Sequence, residues 1–111
     1  MTTPPVKEIA YATGSATDPN TGTWAGVAVA PSGSGSTLQV SVHGVATGGR
    51  CRLMVHDAAG HAVPAGDWTV GDPRDPPYHE TVAVAPAAIR RVEVIDARTG
   101  RRLVEVAIHP V

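Results

Sequence analysis

Leu38-Gln39-Val40-Ser41-Val42-His43 decides the fold class. Three aliphatic side chains alternate with three polar ones. That is the period-two signature of a strand with one buried face and one wet face. The pattern returns a few residues later, where Cys51, Leu53 and Val55 alternate with Arg52, Met54 and His56. Between these two runs residues 44–49 hold three of the twelve glycines and turn the chain. Beyond the second run Asp57-Ala58-Ala59-Gly60 reads as a hairpin turn, with Gly60 free to take a left-handed conformation.

Working outward, further strand candidates cover residues 8–16, 24–30, 61–70, 80–84, 90–95 and 102–108. The run over 61–70 is broken at Pro64-Ala65-Gly66. The connections read as turns and loops: Asp18-Pro19-Asn20-Thr21-Gly22, a Gly/Ser loop over 31–36, a proline-rich loop over 71–77 and a tight hairpin over 97–100. Twelve Gly and ten Pro interrupt the chain too often for amphipathic helices of three turns. The result is about seven or eight short strands spaced roughly 10–12 residues apart, the rhythm of a sandwich or barrel.

The expected fold is therefore all-β, a two-sheet immunoglobulin-like sandwich. Two such sheets pack apolar inner faces about 10 Å apart. Leu38, Val40, Val42, Leu53, Val55, Val82, Val84, Val92, Val94, Leu103, Val104 and Val106 supply those faces, with Trp68 and Trp24. Leu103 and Val104 are adjacent, so both reach the core only if the strand bulges. The chain of 111 residues divides into a flexible N-terminal segment, 1–15, holding a possible first strand, and a sandwich domain over 16–111.

Composition narrows the function. Hydrophobic residues make up 42% of the chain, but only 4% are aromatic and Phe is absent, so the core is aliphatic. A formal net charge of −1 provides no basic stripe for nucleic acid. No run approaches the roughly 20 apolar residues that span a bilayer, so this chain is not expected to insert by itself. Cys51 is the single cysteine, which rules out an internal disulfide.

The side chains that carry chemistry are scattered. Cys51, His56 and Asp57 form the sharpest candidate for a thiol nucleophile. On an extended strand an odd separation sends Cys51 and His56 to opposite faces, about 17 Å apart. The expectation is a buried core thiol beside an exposed histidine. Five histidines (His43, His56, His61, His79, His109) make no H-x-H or H-x3-H pair, although His56 and His61 flank one turn. Asp67, Asp72 and Asp75 lie in and beside the proline-rich loop, where Asp is a common turn former. Arg90-Arg91 and Arg101-Arg102 are balanced by Glu93, Asp96 and Glu105. No catalytic, metal-binding or cofactor-binding residue is assigned, and no cofactor is expected.

The order of the motifs carries a resemblance. Asp18-Pro19-Asn20-Thr21-Gly22 precedes an apolar strand, followed by Leu38 to Val45, then Gly49-Arg50-Cys51-Arg52-Leu53. Asp57-Ala58-Ala59-Gly60, Ala65-Gly66-Asp67-Trp68, Ile89 to Val94 and Gly100 to Val104 complete the series. This sequence resembles the extracytoplasmic C-terminal domain of actinobacterial transmembrane zinc-finger anti-sigma factors, from about residue 16 to residue 106. Cys51, Leu53, Gly60 and Trp68 stand at that family's structural motif positions.

The resemblance implies a β-sandwich in the cell envelope, outside the membrane, with a regulatory role in transcription. In that family one helix joins the sandwich to a cytoplasmic zinc-binding domain that holds a sigma factor. This chain carries neither the helix nor the zinc-binding region. It is expected to act without catalysis, by contact with a protein partner or by shielding a membrane-proximal cleavage site. The alternative is a stand-alone exported module that binds a protein or a glycan, with Tyr11, Trp24, Trp68 and Tyr78 as the only aromatic platforms. The family often has Trp-Gly-Thr where this chain has Ser34-Gly35-Ser36-Thr37, and Trp24 is expected to fill the space left.

Overall fold

A computed structural model describes residues 11–72, 74 and 76–110. It is a two-sheet β-sandwich. The strands are β1 (Ala12–Thr17), β2 (Trp24–Ser32), β3 (Gly35–His43), β4 (Arg50–Asp57), β5 (Ala62–Thr69), β6 (Tyr78–Val82), β7 (Ile89–Asp96), β8 (Arg102–Ala107) and β9 (His109–Pro110). One sheet has the order β6-β3-β2-β1-β9 and the other β5-β4-β7-β8, with every neighbouring pair antiparallel. The chain crosses between sheets after β3, β5, β6 and β8, so that β6 returns beside β3 and β7 beside β4. This Greek-key interlock is the immunoglobulin-like connectivity.

The deciding stretch lies at the centre. Leu38 and Val40 of β3 face inward with Val27 and Val29 of β2, opposite Cys51, Leu53 and Val55 of β4, Val92 and Val94 of β7, and Val104 and Val106 of β8. All of these are fully or almost fully buried. The closed layer of branched aliphatic side chains is the main source of stability, about 1.5–3 kcal/mol for each Val or Leu removed from water.

The structure departs from the sequence expectations at several points, each with a physical cause. The Gly/Ser stretch over 31–36 is not a loop. β2 and β3 run on to Ser32 and Gly35 and meet in a two-residue turn, Gly33-Ser34. Gly33 has φ of 58° while Ser34 does not have positive φ, which is the type II′ pattern suited to a twisted hairpin. Pro64 does not break β5. Leu53 pairs with Gly66 and Met54 with Pro64, so Ala65 is the extra residue of a bulge. β5 is an edge strand, where a proline costs no ladder bond.

The Leu103-Val104 conflict resolves in the same way. Val94 pairs with Val104 and Ile95 with Arg102, which leaves Leu103 as the bulged residue, half-buried against the core. The described residues form nine strands, because residues 109–110 leave the four-stranded sheet and pair with β1 in the other. β1 is the possible first strand and runs across the boundary drawn after residue 15. Residues 1–10 lie outside the described residues, as do Pro73 and Asp75. Among the described residues no helix is long and apolar enough to cross a membrane.

Candidate functional site

The outer faces of the two sheets differ in chemistry. On the four-stranded sheet, Arg52 Nε donates to Asp67 Oδ1 at 3.0 Å, and Arg102 Nη1 donates to Glu105 Oε2 at 3.0 Å and lies 3.7 Å from Glu93. His56 pairs with Glu93 through Nε2, and both side chains are mostly covered. Arg91 lies 3.9 Å from Glu105. The outer face of the five-stranded sheet, among the described residues, has no charged carboxylate, Lys or Arg. It presents Thr13, Ser15 and Thr17 of β1, Ala28 of β2, and Thr37, Gln39 and Ser41 of β3.

Trp24 belongs to that uncharged face. It does not fill space in the core: its neighbour Ala25 points inward, so Trp24 points out. Its ring lies over Gly26, close enough that a Cβ there would sit 2.7 Å from Cη2, and 5.0 Å from the ring of His43. Strand alternation fixes this, and no signal in composition could have overridden it.

Trp68 also differs from expectation. It is half-buried at the rim of the core and stacks on Tyr78, with centroids 4.4 Å apart and rings 9° from parallel. Trp68 comes from β5 and Tyr78 from β6, so the stack bridges the free edges of the two sheets. Glu80 faces inward beside it, because it pairs with the buried Leu38. Tyr78 donates its hydroxyl proton to Glu80. Burial and that carboxylate push the Tyr78 phenol up to about 12.

Below this stack a cleft of about 470 Å³ opens at one end of the sandwich. Val42 and Val45 form one wall, Trp68 and Val70 a second, and Pro77 and Tyr78 a third. These apolar side chains share the lining with polar ones, Ser41, His43, Thr69 and Asp72 among them, and the volume falls in the range of about 300–1,000 Å³ typical of sites that take a ligand. Sequence reading could not find the cleft. Its walls come from the end of β3, the end of β5 and the loop before β6, segments joined only by the Greek key. The alternation in β3 did mark Val42 as inward-facing, and that is the one signal available.

The other candidates are not brought together. Cys51 is fully buried in the core. Burial, with the Asp96 charge behind it, pushes its thiol up to about 11, opposite to the activation of a nucleophile. His56 lies on the other face of β4, bound to Glu93 instead of exposed as expected. His61 is exposed, 3.4 Å from the Asp57 carboxylate, and does not face His56, which pairs with Ala62. Asp57 serves the hairpin instead: its Oδ1 accepts from the N–H groups of Ala59 and His61, and these bonds hold its carboxyl below the usual range. Gly60 closes that turn with φ of 86°. Asp67 pairs with Arg52 and Asp72 with Arg74, while Asp75 lies outside the described residues. Among the described residues no group of three His, Cys, Asp or Glu side chains converges as a metal site would require.

No protein family, curated protein or solved structure matches this chain. The cleft and the uncharged sheet face are therefore interpreted from their own geometry.

Proposed function

We propose that this chain is a non-enzymatic interaction domain of the cell envelope. In this reading it acts as the outer, regulatory part of a transmembrane anti-sigma factor and makes protein contacts through the cleft beside Trp68 and Tyr78. The observation that carries the reading is the cleft itself: a recess of about 470 Å³ walled by valines and two aromatic rings, on a sandwich in which Glu93 and Glu105 of the opposite face are held in ion pairs. The motif order around Cys51, Leu53, Gly60 and Trp68 supports the anti-sigma assignment. The buried, alkaline-shifted thiol of Cys51 supports a role without catalysis.

The position of the cleft favours one of the two regulatory modes. Ala12 pairs with Val29 and with Pro110, so the described chain enters and leaves the fold at the same end. The cleft lies at the opposite end, beside His43 and Trp24, about 17 Å away along β1 at roughly 3.4 Å per residue. A membrane helix preceding residue 11 would hold the cleft away from the bilayer. Contact with an envelope protein fits that placement better than shielding of a membrane-proximal cleavage site.

Two tests address the reading. A photo-crosslinking amino acid at Val45, in cells that express the natural gene, yields a discrete protein adduct, whereas the same group at Met54 on the ion-paired face yields none. Equal labelling from both positions, or no adduct from Val45, refutes the cleft as the contact site. A reading frame without an apolar run of about 20 residues and a zinc-binding segment upstream removes the anti-sigma assignment. Native Cys51 is expected to alkylate more slowly than a free thiol, at the rate set by unfolding, and faster labelling would revive the nucleophile.

A further inference from the structure

We propose that the cleft takes an extended peptide as an added strand on β3, an inference that rests on the cleft being the contact site. β3 pairs with β2 as far as Trp24 against His43, but with β6 only as far as Tyr78 against Val40. The two-residue turn makes Ser32 and Gly35 a hydrogen-bonded pair, and alternate residues of β3 then turn their backbone groups the same way. Gly35, Thr37, Gln39 and Ser41 address β2. Ser36, Leu38, Val40 and Val42 address β6.

At Val42 the β6 ladder has ended. Its N–H and C=O point to the β6 side, and neither has a backbone partner among the described residues. The residues that precede Tyr78 on that side are Pro76 and Pro77, which carry no N–H, and they stand across the cleft as its far wall. Continuing the β3–β6 ladder by one pair leaves the β2–β3 ladder intact, because β2 holds the far side of β3. An incoming residue can exchange two hydrogen bonds with Val42, as the residues of β6 do with Leu38 and Val40.

The same register selects the side chain. Directly opposed residues share a face of the sheet. Val42 faces inward, so the residue opposite it sends its side chain between Val45, Val70 and Trp68. The rim carboxylate of Asp72 is engaged by Arg74. Val45, Val70 and Trp68 at that one position suit an apolar side chain on an otherwise extended segment, with backbone bonds giving affinity and the recess giving specificity.

The probe is a library of phage-displayed random decapeptides, selected on the 111-residue chain and counter-selected on Val45→Arg, which puts a guanidinium in the cleft. Enriched peptides are expected to carry apolar residues at alternate positions and to bind Val45→Arg at least tenfold more weakly. They slow hydrogen exchange at the Val42 amide at least tenfold, and N-methylation of the peptide residue opposite Val42 costs at least tenfold in affinity. A urea midpoint close to that of the parent chain shows that Val45→Arg folds, and Val70→Lys is the second block if it does not. Peptides that need the cleft yet leave the Val42 amide unprotected and tolerate N-methylation overturn strand addition alone. Peptides that bind both blocked variants as well as the parent chain, or a selection with no enrichment, overturn the cleft as the contact site and this inference with it.

Discussion

Along the edge formed by β1, β8 and β9 the chain itself passes from one sheet to the other, whereas along the edge formed by β5 and β6 a pair of stacked rings spans the gap. On the first edge Ile108 is buried between β8 and β9, and Gly14 of β1 lies so close to Ala107 that a Cβ would collide with its carbonyl oxygen. On the second, Gly66 of β5 approaches the Glu80 carboxylate and the Tyr78 hydroxyl, and Trp68 stacks on Tyr78. Backbone shuts one side and side chains shut the other. Backbone cannot retreat without breaking pairing, but side chains can, so only the second edge can admit another molecule without unfolding.

One substitution made at both edges gives the largest expected contrast. Gly14→Ala meets backbone, with Val106 Cγ1 only 2.9 Å from the new carbon, and is expected to cost about 3 kcal/mol. Gly66→Ala meets only the ends of Glu80 and Tyr78, which can swing aside, and is expected to cost about 1 kcal/mol. Urea unfolding with unchanged m-values measures both. Equal costs would show that the β5–β6 edge is as rigid as the other, and the cleft would lose its argument for plasticity.

Trp68→Ala removes the stack itself. A fully buried aromatic costs about 3–5 kcal/mol on truncation, and Trp68 is only half-buried, so about 2 kcal/mol is expected. Trp24→Ala, on the uncharged outer face, is expected to cost about 1 kcal/mol, the coverage it gives Gly26. If Trp24 proves the more costly of the two, the outer face is a structural element of greater weight than the β5–β6 edge.

This contrast also explains how far the sequence could be read. Leu38, Val40, Leu53 and Val55 announced themselves because strand alternation is local. Gly33-Ser34 was hidden among three other Gly and Ser residues, since composition cannot distinguish a two-residue turn from a loop. Pro64 looked like a break because its tolerance depends on β5 being an edge, a property of the whole sheet. Residues 109–110 have no period to show. The cleft has no local signature either. Trp68 and Tyr78 are ten positions apart, and only the return of β6 beside β3 stacks them. The motif positions Cys51, Leu53 and Gly60 occupy core or turn sites that local rules describe well, but Trp68 was placed in the core when its partner sets it at the rim.

The smallest effect tests the hydrogen bond at the open edge. Tyr78→Phe keeps the ring stacked on Trp68 and removes the donor to Glu80, leaving an inward-facing carboxylate without that partner. A loss of about 1 kcal/mol at neutral pH is expected, the usual worth of one such bond. The pH dependence gives the sharper reading. The folded phenol titrates near 12, above the ordinary value of 10, so the folded state holds its proton more tightly than the unfolded state does. Its contribution is complete below pH 10 and is lost as pH rises from 10 towards 12. The parent chain should therefore lose stability over that window more steeply than Tyr78→Phe, in which residue 78 no longer titrates. Identical alkaline slopes would mean that the Tyr78–Glu80 contact opens freely in solution.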